Sequence, residues 1–293
     1  MNRNRRALLA EESVRTLDTG GYTSPAGREI SLRDELSAAV VRSRLYRPAD
    51  FDGALPLPPP AYPMPKIEVT GETTLEAAFR LVSEGGVPEP LCLNFASAKN
   101  PGGGFLSGSQ AQEESLARAS GLYACLLPQL EMYEHNRQLP SSLFSDYMVY
   151  SPGVPVFRDD AGQFLEVPYQ VAFLSAPAVN AGAVRRNEPE QAARIEGVMR
   201  ARLERVLWVA RQHGHGALVL GACGCGVFAN EPDVIARLFV EQLLAPGRFA
   251  GQFARLVFAV YDRSDGQEVL GAFRRELTPR PDAAPGGART IES

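Results

Sequence analysis

NFASAKNPGGGFLSGSQAQEE, residues 94–114, runs from the end of a short apolar stretch through three successive glycines to a pair of glutamates. Leu91, Cys92, Leu93 and Phe95 have the composition of a buried parallel strand that delivers the chain to a site. Pro101 and Gly102 break that strand. Gly102, Gly103 and Gly104 carry no side chains, so the backbone there can take positive φ and lie directly against a ligand, usually phosphate or sugar. Ser109 and Gln112 have the spacing of a capping box, which predicts a helix from Gln110 with Gln112, Glu113 and Glu114 in its first turn. Leu116, Ala119, Leu122, Tyr123 and Leu126 continue its apolar face until Pro128 stops it. The glutamates then stand at the helix end that faces the glycines. Alone, an acidic pair there would only complement the helix dipole, and a lone glycine turn would mark an ordinary turn.

Working outward, residues Arg5 to Leu17 and Leu32 to Leu45 have helical patterns, the second with Ser31 as N-cap. A proline-rich connector, RPADFDGALPLPPPAYPMP, should run extended over the surface. From Lys66 strands and helices alternate, with a strand over Lys66 to Val69 and a helix over Thr74 to Ser83 capped by Thr73 or Thr74. The segment from Pro128 to Phe144 reads as polar and irregular. Asp146 to Asn180 reads as two or three strands with a DDAG turn at Asp159 to Gly162. Its small-residue exit, Ser175 to Asn180, should reach the same sheet edge as the glycine turn, where open α/β sheets place ligands.

Asn187 and Glu190 form a second capping-box pattern ahead of a long helix whose inner face is Ile195, Val198, Met199, Leu203, Val206, Leu207 and Ala210. Trp208 reads as a packed residue. The stretch LVLGACGCGVFANEPDVIARLFVEQLL, Leu218 to Leu244, is a strand, a glycine-rich loop and a helix capped by Asn230 and Asp233, a combination that makes an anion cradle from backbone N–H groups. It lacks the GK[ST] ending of a nucleotide-triphosphate loop and the full dinucleotide fingerprint. A last strand over Arg255 to Asp262 and a last helix over Glu268 to Leu277 precede a Pro, Ala and Gly-rich tail expected to be disordered.

A net charge of −4 offers no overall attraction for nucleic acid, so an anionic ligand must be held by local donors. Four cysteines and no signal peptide suit a reducing compartment, and no stretch is long enough to span a membrane, so the expectation is a cytoplasmic monomer. Cys223 and Cys225 lack two further ligands for a zinc site, and His213 and His215 lack a third, so no metal and no cofactor are expected.

GGG, seven residues, then QEE, here Gly102 to Gly104 and Gln112 to Glu114, resembles the signature of the poly(ADP-ribose) glycohydrolases, and NFASAKNPGGGF resembles their bacterial, single-domain branch. The resemblance covers Asn94 to Tyr261. It implies a three-layer α/β/α macrodomain fold with a mixed central sheet, over residues 66–278, carrying an N-terminal helical accessory region and connector over 1–65. It implies poly(ADP-ribose), ADP-ribose and ADP-ribosylated proteins as partners, with Glu114 as acid/base and Glu113 orienting the ribose hydroxyls. Asn100 is the candidate ribose contact, with Asn94 the alternative. Gly221, Gly224, Cys225, Gly226 and Val227 would wrap the diphosphate, Phe228 would pack on the adenosine end, and Tyr261 falls where the family stacks adenine. Two rivals remain: a non-catalytic ADP-ribose reader, which has no need of QEE, and a mono-ADP-ribosyl-protein hydrolase. Adjacent helical residues diverge by about 100°, so Glu113 and Glu114 cannot be the two opposed carboxylates of most glycosidases.

Overall fold

Residues 1–53 and 55–278 are described by the computed structural model; the tail expected to be disordered lies outside the described residues. The chain opens with helix α1 (Arg3–Thr19), a small hairpin of β1 (Gly21–Thr23) and β2 (Glu29–Ser31), helix α2 (Arg33–Arg42) and strand β3 (Arg44–Tyr46). After the connector come β4 (Lys66–Thr70), α3 (Thr74–Ser83), β5 (Leu91–Phe95) and the helices α4 (Gln112–Ala119), α5 (Leu122–Leu126) and α6 (Leu130–Gln138). Then follow β6 (Met148–Arg158), β7 (Phe164–Ala176), α7 (Ala181–Asn187), α8 (Ile195–Gln212), β8 (Ala217–Leu220), α9 (Pro232–Leu243), β9 (Arg255–Ala259) and α10 (Glu268–Leu277).

Seven of the strands form one mixed sheet in the order β3-β6-β7-β5-β8-β9-β4. The five strands from β7 to β4 run parallel, while β6 and β3 are antiparallel additions at one side. Side chains alternate between the faces, as the pleat requires. Leu91, Leu93, Leu218, Leu220, Leu256 and Phe258 point into the layer made with α8, α9 and α10. Cys92, Val219, Val257 and Phe173 point into the layer made with α3, α5 and α6. This is the expected α/β/α sandwich. Because five strands are parallel, their carboxyl ends and the loops after them all open on one edge.

The region before residue 66 is built into this sheet, since Arg44–Tyr46 pairs with Met148–Tyr150 of β6. The connector, expected to be extended, opens with a 3-10 turn over Pro48–Phe51 and beyond it meets the α8 side: Trp208 and Gln212 donate to the Pro56 carbonyl and Gln252 to that of Pro58. Trp208 packs edge-on against Tyr46 and Phe51, as a structural residue. His213 and His215 are likewise occupied, Nε2 of each lying 2.8 Å from the hydroxyls of Tyr46 and Tyr150 respectively.

Several local expectations are corrected. The helix expected over Leu32 to Leu45 ends at Arg42, Leu32 and not Ser31 holds its N-cap, and the chain straightens into β3. The segment after Pro128 is not irregular: Pro128 sits in a 3-10 turn, and α6 follows with Met132 and Tyr133 fully buried. Its one-sided face is too short to stand out from its polar neighbours. The long helix begins at Ile195, because Asn187 ends α7 and residues Pro189–Arg194 form a 3-10 segment. Glu231, not Asn230, precedes α9.

Asn230 is instead 4% exposed and turned inward, its amide donating to the carbonyls of Val179 (2.8 Å) and Gly224 (3.1 Å). It thereby ties the loop after β7 to the loop after β8. We expect Asn230→Ala to lower the free energy of unfolding by about 1–3 kcal/mol, since the buried Val179 carbonyl and the part-buried Gly224 carbonyl lose their donor; a chemical-denaturation curve measures this.

Candidate active site

At the carboxyl edge of the parallel strands the loops enclose a crevice with two lobes. One, of about 430 Å³, is lined by the β5–α4 loop, both glutamates, Ala178 and the loop after β8. The other, of about 440 Å³, lies towards β9 and β4 and is lined by Tyr261, Val260, Thr73 and Asp160 among others. Phe95, Ala111, Gln112, Ala222 and Gly226 line both, so the two lobes adjoin along these residues.

Gln112 sets the geometry of the first lobe. Its Oε1 accepts the Phe95 N–H at 2.9 Å, and its Nε2 donates to the Leu93 carbonyl at 2.8 Å and to Thr74 Oγ1 at 3.0 Å. The expected capping box with Ser109 does not form, because this side chain reaches back to the end of β5. Helix α4 consequently starts at Gln112, with Ala111 at its N-cap and no side chain capping its first N–H groups.

Glu113 and Glu114, next along, are held differently, as their divergence on the helix predicts. Glu113 is 3% exposed; its oxygens accept the Ser97 N–H at 2.7 Å and the Asn94 amide at 3.2 Å. Burial is the largest influence on its carboxyl and pushes it up to about 8, the Ser97 and Asn94 donors pulling the other way and the neighbouring Glu114 adding to the rise. Glu114 is half-buried, and its Oε1 accepts the Gly104 N–H at 3.0 Å. The glycine turn makes this possible: Gly103 has φ of +60°, and a Cβ there would collide with the Glu114 carboxylate and stand 3.2 Å from that of Glu113.

The candidates separate into those that line the groove and those that shape it. Gly103, Gly104, Asn100, Gly224, Gly226, Val227 and Phe228 line the glutamate lobe. Cys225 and Tyr261 line the other. Phe228 lines the glutamate lobe and Tyr261 the other, so the two aromatics stand in different lobes. Gly102 and Gly221 line neither lobe. Gly102 lies against Phe105 and Ala117, and Gly221 against the Ala259 carbonyl, so both are small for the sake of chain packing. Of the two asparagines, Asn94 is buried and positions Glu113, while Asn100 faces the crevice. The start of α9 opens on a separate cleft lined by Arg185, Glu196 and Glu231, so the cradle consists of loop amides without that helix terminus.

Val227 is 91% exposed at the tip of the β8 loop, an apolar side chain left in solvent at the mouth of the groove. Cys223 is buried and Cys225 half-buried, and loss of water raises both thiols out of the range of thiolate chemistry at neutral pH. Among the described residues no cluster of three or more metal-ligating side chains occurs. Sequence reading missed Ser97 and Asp160 as site residues and offered Asn94 only as the alternative ribose contact, not as the partner of Glu113. Asp160 lies in the DDAG segment, legible only as a hairpin turn; Thr73 Oγ1 donates to it at 2.6 Å, and burial raises its carboxyl.

The family described as microbial-type PARG, catalytic domain, matches residues 10–159. The poly(ADP-ribose) glycohydrolase of Thermomonospora curvata, solved with the inhibitor ADP-HPD, is 48% identical; the match covers 93% of this chain and 99% of that one, with a TM-score of 0.86. The poly(ADP-ribose) glycohydrolase of Deinococcus radiodurans, solved in complex with ADP-ribose, is also 48% identical over 83% of this chain and 97% of that one, with a TM-score of 0.78. No curated protein matches.

Glu113 gives a stability test with a definite sign. Its folded-state carboxyl, about 8, lies above its ordinary 4.5, so its contribution is fully present below the ordinary value and is lost as pH rises through about 8. Glu113→Gln removes the titration, and the Asn94 amide can turn over to meet the new donor. The melting temperature of the wild type should fall relative to Glu113→Gln between pH 4.5 and 8, and a constant difference across that window would contradict the assignment.

Proposed function

The chain belongs to the microbial-type poly(ADP-ribose) glycohydrolases, and from that premise we propose that its groove hydrolyses the ribose–ribose bonds of poly(ADP-ribose), releasing ADP-ribose. The observation that carries the reading at residue level is the pair of differently held glutamates beside a turn that only glycine can make. One lobe takes the ribose whose anomeric carbon reacts; the other, with Tyr261, takes the adenosine. The amides of Gly224, Gly226 and Val227 hold the diphosphate between them.

In this scheme Glu114 protonates the departing 2′ oxygen as the C1″–O2′ bond breaks and positive charge develops on the ribose. It then takes a proton from the water whose oxygen bonds to C1″, which returns Glu114 to its starting state. The substrate diphosphate stabilises the oxocarbenium-like centre. Glu113, protonated near neutral pH by its burial, contacts the ribose hydroxyls without placing a second negative charge in the lobe. A helix N-terminus favours carboxylate and a general acid must hold a proton, so Glu114 acts against the helix terminus, and a neutral Glu113 helps only by adding no helix-terminal counter-charge of its own.

ADP-ribosylated proteins and free polymer are the partners this reading supplies. Among the described residues no helix is long and apolar enough to cross a membrane, and the four cysteines are unpaired. The free thiols support a reducing cytoplasm as the compartment.

Release of ADP-ribose from purified polymer should fall by about 10²–10⁴-fold in Glu114→Ala, with ADP-ribose binding retained. Retained binding with no release by the wild type would mean a reader or a hydrolase of protein-linked ADP-ribose. Gly103→Ala should also lose most of its turnover, because its methyl group displaces the Glu114 carboxylate; undiminished turnover in a folded Gly103→Ala would argue against Glu114 as the acid.

A further inference from the structure

Phe144, in the segment between α6 and β6, has φ of +56°. A bulky side chain is rarely carried in that left-handed region, where glycine would be unstrained. Arg202 of α8, 2% exposed, holds the turn: its guanidinium donates to the carbonyls of Leu143 (3.1 Å), Phe144 (3.2 Å) and Pro177 (2.9 Å) and to the Asp146 carboxylate (3.0 Å). So many acceptors offset the cost of burying the charge. They also fix the backbone on both sides of Phe144 against the loop after β7, whose Ala178 lines the glutamate lobe. Strain held in place by its surroundings in this way marks functional segments.

The ring so placed is not spent on the core. Phe144 is half-buried and belongs to neither layer beside the sheet. Its centroid lies 6.1 Å from that of Phe228, which lines the glutamate lobe, with the rings tilted by 45°. Lys99 Nζ lies 6.0 Å from the Phe144 centroid, and Arg137 of α6 donates to the Lys99 carbonyl at 2.6 Å. Both cations are exposed, and among the described residues neither is ion-paired. Glu188, which is bonded into the same segment, is occupied by the Ser142 N–H at 2.8 Å. Asn100 and Phe228 line the glutamate lobe and not the Tyr261 lobe, so Lys99 and Phe144 extend the crevice outward on the glutamate side.

We propose that Phe144, Lys99 and Arg137 form a subsite for the departing unit of the polymer, its adenine stacking on the Phe144 ring and its 5′-phosphate meeting the two cations. The inference rests on the glycohydrolase reading and deepens it. In the bond that is cut, C1″ belongs to the unit held in the crevice and O2′ to the ribose of the departing unit. That ribose carries adenine at C1′ and phosphate at C5′, so both groups stand within one nucleoside of the oxygen that Glu114 protonates. An accessible aromatic face beside two unpaired cations is the combination that binds such a nucleotide. Holding the departing unit keeps O2′ against Glu114 while the bond breaks, so the subsite contributes to turnover as well as to binding.

Phe144→Gly removes the ring and relaxes the turn, and two substrates read its effect. One is a two-unit chain of poly(ADP-ribose). The other is ADP-ribose with a methyl group on its C1″ oxygen in the same linkage: methanol needs the same protonation as the ribose hydroxyl but places nothing on the rim. Phe144→Gly should lower kcat/KM for the two-unit chain about tenfold, the loss of one stacked base, with the methyl compound unchanged. Lys99→Glu should lower the same ratio, more at low salt than at high, and it decides the matter if a melting curve shows Phe144→Gly unfolded. Equal losses on both substrates would make Phe144 a prop for Phe228, and no loss on either would make it a packing residue. Each of these results overturns the subsite and leaves the glycohydrolase standing. A wild type that releases ADP-ribose from the methyl compound but not from the two-unit chain would overturn the glycohydrolase reading itself.

Discussion

One amide side chain joins the framework to the chemistry. Gln112 bonds simultaneously to the backbone on both sides of Asn94 and to Thr74, so the end of a central strand, the start of α3 and the start of α4 are fixed to each other. A backbone cap would have satisfied the helix but left its rotation free. With Gln112 committed to the strand, the next two residues have their directions set by helical geometry: one inward to Asn94 and Ser97, one across to Gly104. The glycine turn then closes over them, and its lack of side chains lets the carboxylates come that near. Sheet, turn and acid pair thus form one unit, and a disturbance of any of them is felt by the others.

Much of this was legible in the sequence, for identifiable reasons. Strands such as Leu91–Phe95 and Ala217–Leu220 are short apolar runs ending in small residues, and a parallel sheet needs that pattern. The strand ends predicted the crevice, because parallel strands place their following loops on one side. Thr73 and Glu76 form the capping box their spacing suggests. At Ser109 and Gln112, and again at Asn187 and Glu190, the same spacing misled, since a capping pattern states what the side chains could do locally and a nearby strand or loop can offer a better partner. Asp160, and the contact of Asn94 with Glu113, were hidden for a similar reason: they depend on partners, Thr73 and Glu113, which only the folded chain brings to them.

The electrostatics of the crevice follow from burial more than from net charge. The protein carries excess negative charge, yet the loops present N–H groups and the rim beside Phe144 presents Lys99 and Arg137. Glu113 illustrates the balance: removal from water outweighs the hydrogen bonds from Ser97, Asn94 and Gly102, all of which favour the ion. A carboxyl group so placed behaves as a neutral polar contact near neutral pH. Electrostatic specificity here is local, built from which groups are dry and which are wet.

Strand β3, three residues long, has a consequence for how the protein is made. It leaves the ribosome well before β6, the strand it must pair with, because Arg44–Tyr46 meets Met148–Tyr150. Until β6 emerges the arm has no sheet to join, and closing so long a loop costs entropy that local contacts cannot supply. The proline-rich connector suits this delay, since a stretch that resists both helix and central strand will not enter a premature pairing. Order of synthesis and order of assembly are therefore reversed at this edge, and the antiparallel side of the sheet stays open to other strands until the arm arrives.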